Sequence, residues 1–211
     1  MHLSIKAKQI GGISLIVGLA VVALSAIHLS TLVKISLEES AARADLLVAA
    51  IFQRARLVVP GQADPYEALR QDGGLRSILE SSAYSKSVVY AAIVDPDGVA
   101  VVHSVPDRQG KPLAPAGGLD EVLALPRREQ VARVYSSESL TLEVGQPLRL
   151  GTRDFGAIRV GVSTLLIRQE MWEALKPAMV TALIALALAI LVAGVFTRLM
   201  LRPIHVIRGG L

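Results

Sequence analysis

Cysteine is absent from the 211-residue sequence, so neither a disulfide bond nor thiolate chemistry is available to it. The four histidines, His2, His28, His103 and His205, are dispersed and lack the spacing of a metal site. Glycine-rich phosphate loops and nucleophile-elbow motifs are missing as well. We therefore expect no catalytic residue, no metal and no cofactor, and we do not expect this chain to be an enzyme.

Acidic residues are missing from both ends of the chain. All 18 of them lie within residues 34–176, together with 17 of the 22 basic residues. The other five basic residues are Lys6, Lys8, Arg198, Arg202 and Arg208. Because positively charged flanks stay in the cytoplasm, both termini are predicted to be cytoplasmic and residues 34–176 extracytoplasmic. The balanced charge of the middle region gives no basic stripe, so no nucleic-acid partner is expected.

Charge is also absent from two long apolar stretches, residues 9–33 and 178–196. At about 1.5 Å per residue, a helix of 19 residues covers roughly 29 Å, close to the hydrocarbon thickness of a bilayer. The first stretch is longer than the core of a signal peptide, which favours an uncleaved anchor over a cleaved signal. The predicted organisation is a cytoplasmic N-terminus 1–8, transmembrane helix 9–33, outer domain 34–176, transmembrane helix 177–197 and cytoplasmic end 198–211.

The outer domain is predicted to be α+β and to begin with a long helix over residues 34–59. Apolar residues recur there at alternating spacings of four and three, which is the pattern of a helical seam. The seam consists of Leu37, Ala41, Ala44, Val48, Ile51, Ala55 and Val58. Because Leu46, Leu47 and Phe52 widen this apolar face, packing on a sheet is favoured. Pairing with the same helix of a second chain is an alternative that can coexist with it.

Short helices and five strands are predicted after this helix. Asp64 can cap a helix in which Pro65 occupies the first turn and Glu67 completes a capping box. The five strands, which we expect to form an antiparallel sheet, are residues 87–94, 99–104, 130–136, 140–150 and 155–163, with helices at 75–83 and 119–125 and a bulge at Gly145. Ser163 is placed to cap a helix that nothing interrupts before Pro177, so one rod is predicted to join the last strand to the second span.

Two stretches of the outer domain resemble the extracytoplasmic single Cache domain, which has a PAS-like fold. The stretch Ala92–Leu113, AIVDPDGVAVVHSVPDRQGKPL, is similar to the family's strand, D-x-x-G turn, strand, H-S and x-G-K pattern. The stretch Phe155–Val162, FGAIRVGV, resembles its G-x-x-x-V-G strand. The resemblance covers about residues 34–176. It implies a five-stranded antiparallel sheet with a long N-terminal helix, and a sensor of an external solute.

The end of the chain resembles a second family, because Leu201–Ile204, LRPI, looks like the start of a HAMP linker. This resemblance implies that Arg202 and Pro203 relay a signal, and that the protein is a homodimer in the lipid bilayer of a bacterial inner membrane. Pro177 is a further relay candidate, because a proline at the membrane entry removes one helical hydrogen bond and can kink the helix there. The chain is expected to be the input portion of a longer receptor. A sensor histidine kinase is favoured, and a chemoreceptor or a cyclic-dinucleotide enzyme is the alternative.

His103 is the first candidate ligand residue. The resemblance implies that a histidine at this position contacts an anionic ligand, although a hydrogen bond that holds the following loop explains it equally. Carboxylate-binding members usually carry an arginine three residues earlier, where this chain has Ala100. That difference argues against a dicarboxylate ligand.

The other candidates are aromatic and basic residues on predicted strands. Tyr90 and Tyr135 are candidate pocket walls, and core packing explains both equally. Arg133, Arg149 and Arg159 could supply a cation to a pocket, although a solvent-exposed strand face is the favoured interpretation for each.

Two functional classes follow from this pattern. If the chain is a sensor, we expect a lined cavity under the loop around residues 104–118. If the chain is instead a structural membrane subunit whose outer domain docks a partner protein, we expect a filled core and an exposed apolar patch.

Overall fold

The computed structural model describes residues 5–136, 140–150 and 153–201. Over these residues it has an α+β fold with a five-stranded sheet. The helices are α1 Ile5–Val58, α2 Pro65–Gln71, α3 Gly73–Ser82, α4 Leu119–Leu123, α5 Arg127–Val134 and α6 Thr164–Leu201. The strands are β1 Val88–Val94, β2 Ala100–His103, β3 Gly117–Gly118, β4 Thr141–Leu150 and β5 Arg153–Ser163.

The strand order is β2-β1-β5-β4-β3. The four longer strands pair antiparallel, and the two-residue β3 pairs parallel with β4. The sheet is therefore mixed, and the prediction of a purely antiparallel sheet was wrong at β3. A two-residue glycine strand is too short to carry the period-two alternation by which strands are recognised.

The predicted third strand, residues 130–136, was also wrong, because this region belongs to helix α5. Its valines and Tyr135 favour a strand by propensity. The buried positions, however, are Gln130 and Val134, four residues apart, which is the spacing of one helix face. The Gln130 side-chain amide donates to the carbonyls of Leu123 and Leu125, so it holds α5 against the end of α4.

Helix α1 buries the predicted seam. Leu37, Ala44, Ile51 and Ala55 are fully buried, and Val59, just past the end of the helix, is buried at the position where the pattern favoured Val58. Leu46 does not widen this face as predicted, because 72% of it is exposed. The seam of α1 therefore packs within the domain, while Leu46 lies on the opposite side of the helix.

The sheet is covered on both faces. Ala91, Val144 and Val160 are aligned across three strands and are buried, so they form the face on which α1 packs. The neighbouring positions in the register, Tyr90 and Arg159, point to the other face. The loop between β2 and β3 joins opposite edges of the sheet and must therefore cross this second face. Two carbonyls of the loop accept hydrogen bonds from Arg159, which places the loop over it.

The turns follow the predicted chemistry in two places. Asp64 caps α2 by accepting from the N–H groups of residues 66 and 67. In the β1–β2 turn, Asp95 accepts from the N–H groups of Asp97 and Val99, and Gly98 has a φ of +80°.

The predicted bulge at Gly145 was wrong, because the register shifts between Pro147 and Arg149. Pro147 cannot donate a ladder hydrogen bond, which is a sufficient reason for an irregularity beside it.

One helix of the described residues, near the N-terminus, is long and apolar enough to cross a membrane by length and composition. The predicted second span, residues 177–197, includes side chains outside the described set and stays a prediction, as do the domain boundaries. The chain divides into two compact units, Met1–Gln169 and Glu170–Leu211. All the sites described below lie in the first unit, with the exception of Pro177.

Candidate functional site

A buried charged cluster lies on the sheet face under the β2–β3 loop. Arg159 on β5 donates through Nε and Nη2 to Glu143 Oε2 on β4, at 2.8 and 2.5 Å. The two side chains are only 12% and 9% exposed. The hydroxyl of Tyr90 on β1 donates to the second oxygen of the same carboxylate. Every strong acceptor of Glu143 is therefore occupied, and its negative charge neutralises Arg159 inside the domain.

The same arginine fixes the loop over the sheet. Its Nη1 donates to the carbonyl of Leu113 at 2.9 Å, and its Nη2 donates to the carbonyl of Ala114 at 3.1 Å. Burial and the hydrogen bond to Glu143 raise the pKa of Tyr90, so its hydroxyl remains a donor at neutral pH. Because the guanidinium, the carboxylate and the phenol are all paired, these three groups offer a solute no unsatisfied charge.

His103 closes β2 beside this cluster. Its ring stacks on Tyr90, with ring centroids 5.4 Å apart, and its Nδ1 accepts from the backbone N–H of Val105 at 2.9 Å. The second contact is the loop-holding hydrogen bond that the sequence left open as an alternative. Burial and the nearby positive charge of Arg108 lower the pKa of His103, so the ring is neutral at pH 7. His103 therefore acts as a hydrogen-bond acceptor for the loop, and it also borders a cavity.

That cavity has a volume of about 280 Å³ and lies at the edge of the sheet, between β2, the start of the loop and helices α2 and α3. Its lining residues are Arg70, Arg76, Leu79, Glu80, Val102, His103, Ser104, Pro106 and Gln109. The lining combines buried aliphatic side chains with three charged groups and several hydrogen-bonding groups. This is the composition expected of a small-solute site, namely an apolar wall with a few convergent polar groups.

The predicted site residues are only partly brought together. His103 and Tyr90 are in contact, and His103 lines the cavity. Arg133 was expected on a strand, but it is exposed on helix α5, and Tyr135 follows at the C-terminal end of that helix, 39% exposed. Arg149 is exposed near the end of β4, paired in register with Asp154. None of these three lines the cavity.

Two of the predicted relay residues, Arg202 and Pro203, lie outside the described residues. Pro177 lies inside helix α6, where its carbonyl accepts from the Thr181 hydroxyl at 2.9 Å. A proline in a helix removes one backbone hydrogen bond, and a hydroxyl of this kind often lies beside such an interruption.

Sequence reasoning missed Arg70, Arg76, Glu80 and Glu143. The three cavity residues belong to short helices whose partner strand was not identifiable from the sequence, so their convergence on β2 was not visible. Glu143 carried a signal that could have been used. It lies on a strand that alternates in hydrophobicity, and its even-numbered neighbours are apolar, so it points away from α1 toward the face that carries Arg159.

A second polar cluster joins helix α1 to the sheet. The Ser87 hydroxyl donates to the carbonyl of Lys86 at 2.6 Å, so it accepts from the Ser40 hydroxyl of α1 at 2.9 Å. The carbonyl of Ser87 accepts from the N–H of Ser163, the last residue of β5. Ser87 also has a φ of +63°, a strained value for a residue other than glycine. One hydroxyl–hydroxyl contact and one backbone hydrogen bond thus connect α1, through Ser87, to the last residue of β5, just before α6.

Among the described residues, no group of three or more histidine, cysteine, aspartate or glutamate side chains could hold a metal. The absence of a cofactor stays a prediction.

Comparison with known proteins agrees with this architecture. The family model described as single Cache domain 3 matches residues 38–176, which is well over half of the chain. No curated protein matches the sequence. The match begins in the second half of α1 and ends in α6, so it covers the sheet, the loop, the cavity and the serine cluster. The chain therefore belongs to the single Cache domain 3 family, and residues 38–176 form an extracytoplasmic sensor module of the kind found in signalling receptors.

Proposed function

We propose that this chain is the input portion of a bacterial transmembrane receptor, a sensor histidine kinase in the favoured case. It detects a small external solute and relays the signal through the second span to a HAMP linker. The observation that carries the proposal is the direct connection between sheet and helix. Strand β5 ends at Ser163 and α6 begins at Thr164, with no linker between them.

The start of α6 is fixed by three hydrogen bonds to one residue. The Thr164 hydroxyl donates to the Leu140 carbonyl and accepts from the Leu140 N–H, both at 3.1 Å, and the Thr164 N–H donates to the same carbonyl at 3.0 Å. Thr164 is only 1% exposed. A displacement of β4 against β5 therefore shifts the first turn of the helix rather than being absorbed by a flexible segment. Small helix shifts of this kind, about 1–2 Å, are a known form of signal transmission.

The cavity at the β2 edge supports detection of a solute. It lies beside the loop that crosses the sheet, and Ser104, Pro106 and Gln109 of that loop contribute to its lining. A solute that contacts both α3 and this loop has a different affinity for two loop positions, which is the requirement for shifting an equilibrium. Couplings of about 1–3 kcal/mol are typical of such switches.

A second copy of the chain is the proposed partner of α1. Ile35, Leu46 and Leu57 are 51%, 72% and 76% exposed and recur every 11 residues. Eleven residues are close to three full turns, so these side chains share one stripe on the side opposite the buried seam. A parallel homodimer would bury this stripe. It would also bring together the two copies that a HAMP linker requires.

The experiment separates location from sensing. The chain has no cysteine of its own, so two single-cysteine variants are made. One carries Tyr84→Cys, at a position that is 91% exposed, and the other carries Arg208→Cys. A membrane-impermeant maleimide is expected to label Tyr84→Cys in intact cells and Arg208→Cys only after permeabilisation. Labelling in the reverse order would contradict the proposed topology.

For sensing, the full chain in nanodiscs is screened by thermal unfolding against a broad panel of small organic solutes. At least one solute is expected to raise the unfolding temperature in proportion to the logarithm of its concentration. A panel with no active member, together with a monomeric chain in analytical ultracentrifugation, would favour the partner-docking subunit instead. In that case, the exposed stripe of α1 would be the docking surface.

A further inference from the structure

The edge cavity contains two opposite charges that are not paired with each other. Arg76 and Glu80 are four residues apart on α3 and both line the cavity. Among the described residues, neither side chain forms an ion pair or a side-chain hydrogen bond. An arginine placed N-terminal to a glutamate at this spacing is the less favourable orientation for a helical ion pair, so the unpaired arrangement is physically reasonable.

The other residues that line the cavity determine which charge and which size of ligand it can accept. Arg70 of α2 adds a second guanidinium, which Glu67 holds in place at 3.2 Å. Leu79 and Val102, 1% and 6% exposed, form an apolar wall. The volume of about 280 Å³ lies just below the range of about 300–1,000 Å³ that is usual for drug-sized ligands, so only a small molecule fits.

We propose that this cavity binds a small zwitterion of the amino-acid type, with its carboxylate between Arg76 and Arg70, its ammonium group at Glu80 and a short aliphatic group against Leu79 and Val102. The inference rests on the proposed sensing function and names the chemistry of the solute. A simple anion would leave Glu80 facing a like charge. A simple cation would face two guanidinium groups. The cavity therefore disfavours both the simple anion and the simple cation relative to the zwitterion.

The buried cluster on the sheet face supports this assignment by exclusion. Arg159 is already neutralised by Glu143 and bound to two carbonyls, so it has no charge to offer a solute. The cavity, by contrast, is lined by the positive Arg76 and the negative Glu80 together with the apolar Leu79 and Val102. The available charges, rather than the buried ones, define the chemistry that the domain can recognise.

The test uses the full chain in nanodiscs and three classes of probe. Glycine, L-alanine and L-valine are the zwitterions, propionate is the matched anion without an ammonium group, and L-alaninamide is the matched cation without a carboxylate. At least one zwitterion is expected to raise the unfolding temperature with an affinity at least tenfold higher than either singly charged probe. If propionate binds as well as L-alanine, the charge assignment is wrong while the sensing proposal survives. If no zwitterion binds, the inference is overturned, and the broad solute panel decides the sensing proposal separately.

Substitutions in the cavity locate the site. Arg76→Gln and Glu80→Gln are each expected to weaken the response to the active zwitterion at least tenfold. The matched controls are Arg128→Gln and Glu129→Gln on the exposed surface of α5, which should respond like the unchanged chain. A response that survives both cavity substitutions would show that the zwitterion binds elsewhere, and it would overturn the assignment.

Discussion

Arg159 and Arg76 show two ways in which this domain holds a charge. Arg159 is 12% exposed, and its donors bind a carboxylate from the neighbouring strand and two loop carbonyls. Arg76 borders an open cavity, with Glu80 one helical turn away and no ion pair between them among the described residues. Satisfied buried charges stabilise one arrangement of the loop on the sheet. Unsatisfied accessible charges contribute little to folding and remain available to a solute.

The largest expected effect comes from breaking the buried pair. Glu143→Ala leaves Arg159 buried with no opposite charge, so the free energy of unfolding should fall by about 3–5 kcal/mol. Urea unfolding of the full chain measures this loss. Glu121→Ala, at an exposed position of α4, is the control and should change stability by less than about 0.5 kcal/mol. A loss in Glu143→Ala no larger than in this control would mean that the cluster is not the internal support described here.

The next largest effect on stability is expected at Gly161, which lies against the ring of Tyr90. A Cβ added to Gly161 would lie 2.3 Å from the Tyr90 ring, so the ring requires glycine at this place. Gly161→Ala should therefore cost about 1–3 kcal/mol, as is usual for overpacking. The control is Gly73→Ala, because a Cβ there meets nothing within 4 Å.

Coupling between these two positions sharpens the test. If the steric account is correct, the cost of Gly161→Ala should largely disappear in a Tyr90→Ala background, where no ring is present. A cost that is the same in both backgrounds would place the effect in the backbone rather than in the ring.

A smaller effect is the pH dependence of stability that His103 causes. This residue contacts Tyr90 of the buried cluster and also lines the cavity. Because burial lowers its pKa in the folded state, the unfolded chain binds a proton at higher pH than the folded chain does. Stability from this residue is therefore fully present above the unfolded pKa of about 6.5, and it is lost as the pH falls below that value toward the folded pKa. Unfolding free energies measured from pH 7.5 to pH 5 should decline more steeply in the unchanged chain than in His103→Asn. Equal slopes would contradict the neutral, loop-holding histidine.

The smallest expected effect on folding is in the cavity. Arg76→Gln and Glu80→Gln should each change the free energy of unfolding by less than about 0.5 kcal/mol, because neither charge has an ion-pair partner to lose in the part of the chain that the structure describes. Urea unfolding without any solute measures this. A loss above about 1 kcal/mol in either variant would show that these charges support the fold, and it would remove the contrast with Arg159.

Much of the fold was predictable, because it follows from local patterns. The seam of α1 from Leu37 to Ala55 repeats at helical spacing, and Asp95 and Gly98 are the residues that the β1–β2 turn demands. The strand predicted at residues 130–136 failed because its β-branched side chains favour a strand, whereas packing of Gln130 against α4 selects a helix. Strand β3 was missed because two glycines give no pattern.

The site was predictable only in part. His103 was identified, and its contact with the loop was one of the two interpretations left open. The cavity depends on α2 and α3 packing against the edge strand, and such long-range contacts leave no trace in the spacing of Arg70, Arg76 or Glu80. Arg159 was expected on a solvent-exposed face, because the sequence gives no indication that the β2–β3 loop crosses the sheet above it.

The most direct measurement of the central claim is disulfide crosslinking between two copies through one cysteine in the second span. The exposed Leu188 is replaced by cysteine in the otherwise cysteine-free chain, and the crosslinking rate is measured in nanodiscs with and without the active zwitterion. The account predicts that the zwitterion changes this rate in the intact chain and has no effect when Arg76→Gln and Glu80→Gln are combined. A rate that the zwitterion leaves unchanged in the intact chain, although it binds there, would contradict the proposal that the cavity controls the second span.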